Sequence, residues 1–518
     1  MPSPVRGRVA AIDVGSNGIR LRVVEATRPE ASAGSGLVVK ELVNQRAAVR
    51  LGTEVYLTGR LPPASIGQAS GVLRGFREIL DEQKVDAYRA TATSAVREAK
   101  NGATLVERAR REAGIELDVI EGIEEARLIE LAVSRKIDLS KRVALLVDVG
   151  GGSTELTVLD DGRHAFSVSL PLGTVRVLET VLAGGAALKD AQVRILRETI
   201  DRALVEALAP LGRFKIEMLI ATGDNADTLA DLCPLEHGAF GFDRAIDVGA
   251  ARALFAKLVK LSPAERKDAF GLRPDRADTI LPAAAILLRL GEHFKTGALL
   301  APGVGLKEGI LTELSERFFE VWDESREAQS VITACERLGQ RYHFDEAHGQ
   351  LVSRLAAQLF DDLRKVHGFS DRDRLLLRAA ALLHDIGDFI RYDGHHKHSY
   401  YLILHSDIIG LTPQEREVVA NIARYHRKTP PDASHPNFRE LDKDAKGKVR
   451  GLAAILRVAD ALDREHLGKV KTVRGTIDGK GRLLLAIEGA EDRELEEWTV
   501  RAKSGMLRDV FDLDVTFA

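Results

Sequence analysis

Cysteine is almost absent. Cys233 and Cys335 are the only two in 518 residues, which excludes a disulfide framework and fits a reducing compartment. A surplus of charge of one sign is lacking too. With a net charge of −3, no overall basic field marks a nucleic-acid or membrane binder, so grip on a polyanion has to come from local clusters. No uninterrupted apolar run approaches the ~18 residues of a membrane span, and Met1-Pro2-Ser3-Pro4-Val5-Arg6 opens without the apolar core of a signal peptide. These absences predict a soluble cytoplasmic protein with no nucleic-acid or membrane partner. What is present is 45% apolar residues, enough for large cores, on a length that predicts three or four domains at about 150 residues each.

The most informative stretch is Leu145 to Leu159, Leu-Leu-Val-Asp-Val-Gly-Gly-Gly-Ser-Thr-Glu-Leu-Thr-Val-Leu. An apolar run ending in Asp148 predicts a buried strand. Gly150, Gly151 and Gly152 let backbone amides face an anion, and a strand pattern resumes at Leu156. The lysine of a P-loop is missing and no helix-opening Gly-x-Gly-x-x-Gly follows, so neither a P-loop ATPase nor a dinucleotide fold is supported. Asp148 and Glu155 flank the glycines as hard oxygen ligands suited to magnesium or an attacking water. The pattern recurs: a shift of 135 residues lays Ile12–Leu21 on Val147–Leu156, with Asp, Val, Gly and Leu identical. An offset of that size predicts two duplicated lobes whose hairpins hold a phosphate chain between them.

Between the copies, a strand is expected from Leu37 to Val43 after a small-residue turn at Glu30 to Gly36. A helix is expected over Ala64–Gln83, and a short strand from Val85 to Ala92. Thr93-Ser94-Ala95-Val96-Arg97 is a polar turn entering a helix, where Ser94 and Arg97 suit an anion. Another helix begins near Ile123. Glu125 falls on the stripe of Leu128, Ile129 and Ala132, while Glu124 can pair with Arg127 on the wet side. A carboxylate heading an apolar stripe is partly desolvated, which raises its pKa and suits it to general-base work. Further elements are helices over Asp190–Leu208 and Ala277–Leu290 and a strand from Met218 that ends at Thr222-Gly223-Asp224.

Taken together, Asp13-Val14-Gly15-Ser16-Asn17, Thr93 to Arg97, Glu124 to Leu128, Asp148 to Glu155, Leu172-Gly173 and Arg276-Ala277-Asp278 resemble the exopolyphosphatase and guanosine pentaphosphate phosphohydrolase (Ppx/GppA) family, in family order over roughly the first 310 residues. The resemblance implies an α/β fold of two ribonuclease-H-like lobes of the actin and sugar-kinase type. It makes Glu125 the general base and has Glu155 position or activate the water. Asp148, with Glu155, would bind magnesium or another divalent cation, and the family leaves room for a monovalent cation such as potassium. Asp13, Gly15, Ser16, Asn17, Ser94, Arg97, Gly150, Gly151, Gly152 and Ser153 would grip phosphate. The implied activity is removal of terminal phosphate from inorganic polyphosphate, or of the 5′ phosphate from guanosine pentaphosphate, by a homodimer. Rival readings are a non-catalytic polyphosphate or alarmone sensor, which retained Glu125 and Glu155 argue against, and a kinase of the same fold. Two positions depart from the pattern. Gly18 stands where a serine is expected, and Asp224 puts a carboxylate where it would repel phosphate.

From about Leu314 the chain becomes helical, and seven of the 14 histidines fall between His384 and His435. His348, adjacent His384-Asp385 and Asp460 resemble the ligand set of HD metal-dependent phosphohydrolases, with His398 and His426 as candidates for a second metal position. Arg424, His426, Arg427, Lys428, Lys443, Lys446, Lys448 and Arg450 suggest a basic track for a polyanion. The expected division is lobe I over 1–125, lobe II over 126–312, an all-α HD-like domain over 313–471 and a small α+β domain over 472–518.

Overall fold

The computed structural model describes residues 6–27, 37–182, 187–319, 324–479, 481–489 and 492–517; the turn expected at Glu30 to Gly36 lies outside them. The chain forms two compact units, Met1–Trp322 and Asp323–Ala518.

The first unit holds two mixed sheets. Strands β1 (Arg6–Gly15), β2 (Gly18–Thr27), β3 (Val38–Ala47), β4 (Ala87–Ala92) and β5 (Leu117–Val119) take the order β3-β2-β1-β4-β5. Strands β6 (Val143–Val149), β7 (Thr154–Asp160), β8 (Arg163–Leu170), β9 (Met218–Thr222), β10 (Ala245–Asp247) and β11 (Ala298–Leu300) take the order β10-β11-β9-β6-β7-β8. Apart from β10 at its edge, the second sheet repeats the first, and β1 and β6 each begin an antiparallel hairpin while pairing in parallel on the other side. The 135-residue sequence repeat is therefore a repeat of lobes, with the arrangement expected of ribonuclease-H-like folds. Strand β6 reads Val-Ala-Leu-Leu-Val-Asp-Val because a central strand is covered on both faces, and all but its first residue are buried.

The helix Gly122–Ser134 presents Leu128, Ile129, Ala132 and Val133 to a core shared with Ala144 and Leu146 of β6 and with Ile310 and Leu311. Those last two lie on the helix Leu306–Phe318, which packs against Gly122–Ser134 and β1 and runs straight through the boundary expected at 312/313. The expected 125/126 boundary likewise falls inside the Gly122–Ser134 helix.

The second unit is a set of helices with one sheet, β12 (Val470–Ile477), β13 (Arg482–Gly489) and β14 (Asp514–Phe517), in that order. Val470, Val473, Leu483 and Leu485 join the same apolar cluster as Leu355, Phe360, Leu377 and Leu456, so the α+β tail shares the helices' core. The tail carries two helices, Glu494–Lys503 and Gly505–Phe511, split at Ser504-Gly505, where propensity is poorest. Among the described residues no helix is long and apolar enough to cross a membrane.

Candidate functional site

The duplicated hairpins face one cleft, and they differ at one telling position. In each, an aspartate near the end of the first strand lies opposite a residue of the second: Asp13 opposite Arg20, and Asp148 opposite Glu155. Cross-strand partners of opposite charge attract, and like charges repel. In the first lobe Arg20 neutralises Asp13 at 2.8 Å and reaches across to Asp224 of the second lobe at 2.6 Å, where Arg276 also pairs with that carboxylate. In the second lobe two carboxylates face each other, and Glu125 adds a third. One oxygen from each of Glu125, Asp148 and Glu155 lies within 4.8 Å of the others.

All three are buried, Glu155 to 2% and Glu125 to 7% exposure, and burial together with mutual repulsion disfavours their charged forms. Burial, then Glu155 and Asp148, push Glu125 well above the usual carboxylate range. Burial and Asp148 carry Glu155 up to about 7, although the Ser153 and Ser169 hydroxyls oppose the shift. Asp148 rises to about 6 through burial, with Thr222 donating to it at 2.5 Å. Oε2 of Glu125 and Oε2 of Glu155 are buried without a hydrogen-bond partner. Hard carboxylate oxygens left orphaned and mutually repelling are the donor set of a divalent cation such as magnesium.

Glycine is what lets these parts meet. The Gly122–Ser134 helix starts so close to β8 that a Cβ at Gly122 would strike the Ser169 side chain, the donor to Glu155 at 2.8 Å. The turn at Gly150–Ser153 is closed by the Gly150 amide on the Ser153 carbonyl at 3.0 Å, leaving the Gly151 and Gly152 amides without a carbonyl acceptor among the described residues. Amides freed in this way make an anion-binding concavity. A Cβ at Gly152 would collide with the Tyr56 and Ser94 hydroxyls. Those belong to a chain that runs from Ser16 to Tyr56 at 2.6 Å and from Tyr56 to Ser94 at 2.9 Å. Gly152→Ala is expected to push the turn off this chain and lower kcat/KM at least tenfold. Tyr56→Phe in the same molecule should restore part of it, a coupling that steady-state kinetics of the double-mutant cycle will measure.

Residues 31–318 match the Ppx/GppA phosphatase family, and residues 332–509 match its domain III. The chain belongs to the Ppx/GppA phosphatase family. Members of this family are phosphoanhydride hydrolases, generally dependent on a divalent metal, and the chain is an enzyme of that class. It is 26% identical to a guanosine-5'-triphosphate,3'-diphosphate pyrophosphatase of Pseudoalteromonas atlantica, over 88% of this chain and 86% of the relative. Among solved structures, an exopolyphosphatase of Cytophaga hutchinsonii is 26% identical with a TM-score of 0.53, covering 60% of this chain and 98% of its own. An exopolyphosphatase-like protein is also 26% identical, with a TM-score of 0.54, covering 61% of this chain and 99% of its own.

Of the residues expected to carry family chemistry, Asp13, Gly15, Ser16, Asn17, Ser94, Glu125, Asp148 and Gly150 to Ser153 all line the cleft, with Glu155 immediately behind it. Arg97 does not line it. Its guanidinium donates to the Ile120 carbonyl at 2.6 Å and sits 3.9 Å from Glu121, which braces the entry to the Glu125 helix, and its charge opposes the rise of Glu125 and Glu155. Asp13 is the ion-pair partner of Arg20 and offers no donor to a phosphate. The repulsion expected from Asp224 is answered by its two arginines, which outweigh burial and hold it below the usual carboxylate range. Glu124 pairs with Arg127 at 2.7 Å as expected, and Glu313 joins them on a half-buried face. Tyr56 and Thr222 carried no signal in the sequence. Arg20 carried none either, because its place opposite Asp13 is set by strand register.

In the second unit His348, His384 and Asp460 converge within 4.8 Å, as do Asp385, His395 and His426. The second group contains His395 where His398 was expected: only the first residue of the helix His395–Leu404 points to Asp385, while His398 lies a turn further on beside Gly387. The basic track does not form as a strip. His426 is buried in this cluster, Lys448 pairs with Asp373 and Asp444, Lys446 donates to the Arg439 carbonyl, and Arg450 lies over Phe438.

Proposed function

We propose that the chain removes terminal phosphate from inorganic polyphosphate, with Glu125 as general base. The observation that carries the reading is the placing of Glu125, buried and orphaned at Oε2, in the cleft lined by both glycine turns. Glu125 takes a proton from water as the water oxygen attacks the terminal phosphorus. The bond from phosphorus to the bridging oxygen breaks, and the shortened chain departs as an oxyanion. The Gly151 and Gly152 amides and the hydroxyls of Ser16, Ser94 and Ser153 orient the phosphoryl oxygens, and Arg20, Arg276 and Lys307 balance part of their charge. Asp148 and Glu155 would hold magnesium, which supplies the positive charge that a cleft lined by six carboxylates and three cationic side chains lacks.

Polyphosphate is favoured over a nucleotide because none of the described residues lining the cleft is aromatic, so a guanine would find no ring to stack on. The guanosine pentaphosphate reading has its own support in the relative that bears that activity in its name and extends over both units. Phosphate release from long-chain polyphosphate and from guanosine pentaphosphate decides between them. The expected result is a kcat/KM at least tenfold higher for polyphosphate per chain end, and the reverse ratio would replace it with the nucleotide. The setting we assign is the cytoplasm, supported by two unpaired cysteines, and the assembly a homodimer, by resemblance to the family.

A further inference from the structure

The glycine turn of the second lobe is held from behind, carbonyl by carbonyl. The helix Thr174–Thr180 begins hard against it at Gly173, where a Cβ would lie 2.4 Å from the Gly152 backbone. That approach lets the Thr174 amide donate to the Gly150 carbonyl at 2.9 Å. The Val175 and Arg176 amides donate to the Gly151 carbonyl at 2.8 and 3.0 Å. Among the described residues no backbone donor reaches the Gly152 carbonyl. The Arg176 side chain does so instead, its Nε donating at 2.7 Å.

In a trans peptide the carbonyl and the following amide point in opposite directions. A carbonyl fixed toward this helix therefore turns the next amide away from it, and the Gly151, Gly152 and Ser153 amides are all turned in this way. The Ser153 amide, like the two before it, has no carbonyl acceptor among the described residues. Backbone sets the direction of the first two, whereas a side chain sets the third.

The guanidinium of Arg176 is in turn held by the other lobe. Its Nη2 donates to both carboxylate oxygens of Glu98, at 2.6 and 2.8 Å, and its central carbon lies 4.1 Å from the centre of the Tyr56 ring. Glu98 ends the short helix Ser94–Glu98 of the first lobe. A planar fork can meet a carbonyl and a carboxylate together, which a lysine ammonium on a flexible stem does poorly.

We propose that Arg176 is a positioning residue that aims the Ser153 amide at the bound phosphoryl group, and that Glu98 makes this posture conditional on the two lobes meeting. The proposal rests on reading the Gly150–Ser153 turn as a phosphate site and adds a condition to it. A polyanion that draws the lobes together finds three amides, and one that does not finds two. Arg176 and Glu98 are 18% and 39% exposed, and an ion pair that open to water adds little to stability, so its effect falls on binding rather than folding.

The test pairs steady-state kinetics on long-chain polyphosphate with calorimetric titration by inorganic phosphate, both in magnesium. The heat that Gly152→Ala abolishes reports on the turn. Arg176→Met keeps the stem and removes the donors. It is expected to lower kcat/KM at least about tenfold, less than outright loss of an oxyanion donor because the amide is misdirected rather than missing. The loss should fall mainly on KM, the opposite split from deletion of the base. Phosphate affinity should weaken by a similar factor, with the melting temperature within about 2 °C of wild type. Arg176→Lys should recover less than about half of the loss. Glu98→Gln keeps an oxygen for Ser94, whose hydroxyl donates to Glu98 at 2.9 Å, but gives up the charge. Alone it should raise KM about threefold, and in the Arg176→Met background it should add nothing. Additive losses, or an unchanged KM in Glu98→Gln, would overturn the dependence on the first lobe. Arg176→Met within about threefold of wild type in kinetics and phosphate affinity, or full recovery by Arg176→Lys, would overturn the positioning role. Wild type that neither binds nor releases phosphate would instead refute the reading of the turn itself.

Discussion

Glu125→Ala is expected to lower kcat for phosphate release by at least about two orders of magnitude, the usual contribution of a positioned general base, with KM little changed. The expectation follows from where the carboxylate stands. It heads the apolar stripe of its helix, so the packing that buries Leu128 and Ile129 also withdraws Glu125 from water. Asp148 and Glu155 then raise its proton affinity further, which makes it a better base once ionised. It touches no group that grips phosphate, so substrate affinity should survive. Glu124→Ala is the control, one residue away but tied to Arg127 and Arg89 outside the cleft lining, and it should stay within about threefold of wild type. If Glu125→Ala keeps more than a tenth of wild-type kcat, the base is another group and Glu155 becomes the first candidate.

Much of this site was legible because the hairpin is written twice. Repetition located the two hairpins, glycine runs located the turns, and helical periodicity separated Glu125 from Glu124. What could not be read was anything set by strand register or by contact between distant segments. Arg20 becomes an inter-lobe bridge only because Asp224, 204 residues away, lies within reach of it. Tyr56 matters through two hydroxyls contributed by other loops. Arg97 was assigned by its place beside Ser94, yet a side chain that long is directed by whichever acceptor is nearest, here the Ile120 carbonyl. The helical unit shows the same limit: the His-Asp dipeptide is legible, but that His395 rather than His398 lies against Asp385 depends on helix phase. Domain boundaries were least readable, since the Leu306–Phe318 helix belongs by packing to the lobe it follows.

Glu155→Gln is expected to abolish measurable turnover and at the same time raise the melting temperature at pH 8 in chelator by several degrees. The sign follows from linkage. Glu155 is raised from 4.5 to about 7 in the folded protein, so the native state binds more protons than the unfolded chain between those values. Its contribution to stability is therefore fully present below about pH 4.5 and is lost as pH rises through 7. Above pH 7 the folded enzyme holds a desolvated carboxylate against Asp148, a penalty on the order of 3 kcal/mol from a shift of this size. A glutamine keeps the volume and can still accept from Ser169 but carries no charge, so that penalty disappears. Melting curves of wild type should fall from pH 5 to pH 8 more steeply than those of Glu155→Gln, and magnesium should narrow the gap at pH 8 by stabilising wild type alone. Activity should run the opposite way, rising with pH as Asp148, Glu155 and finally the base Glu125 ionise. Equal melting temperatures at pH 8 with and without Glu155→Gln would mean the carboxylate is not strained in the folded protein, and the argument that the pair awaits a cation would go with it.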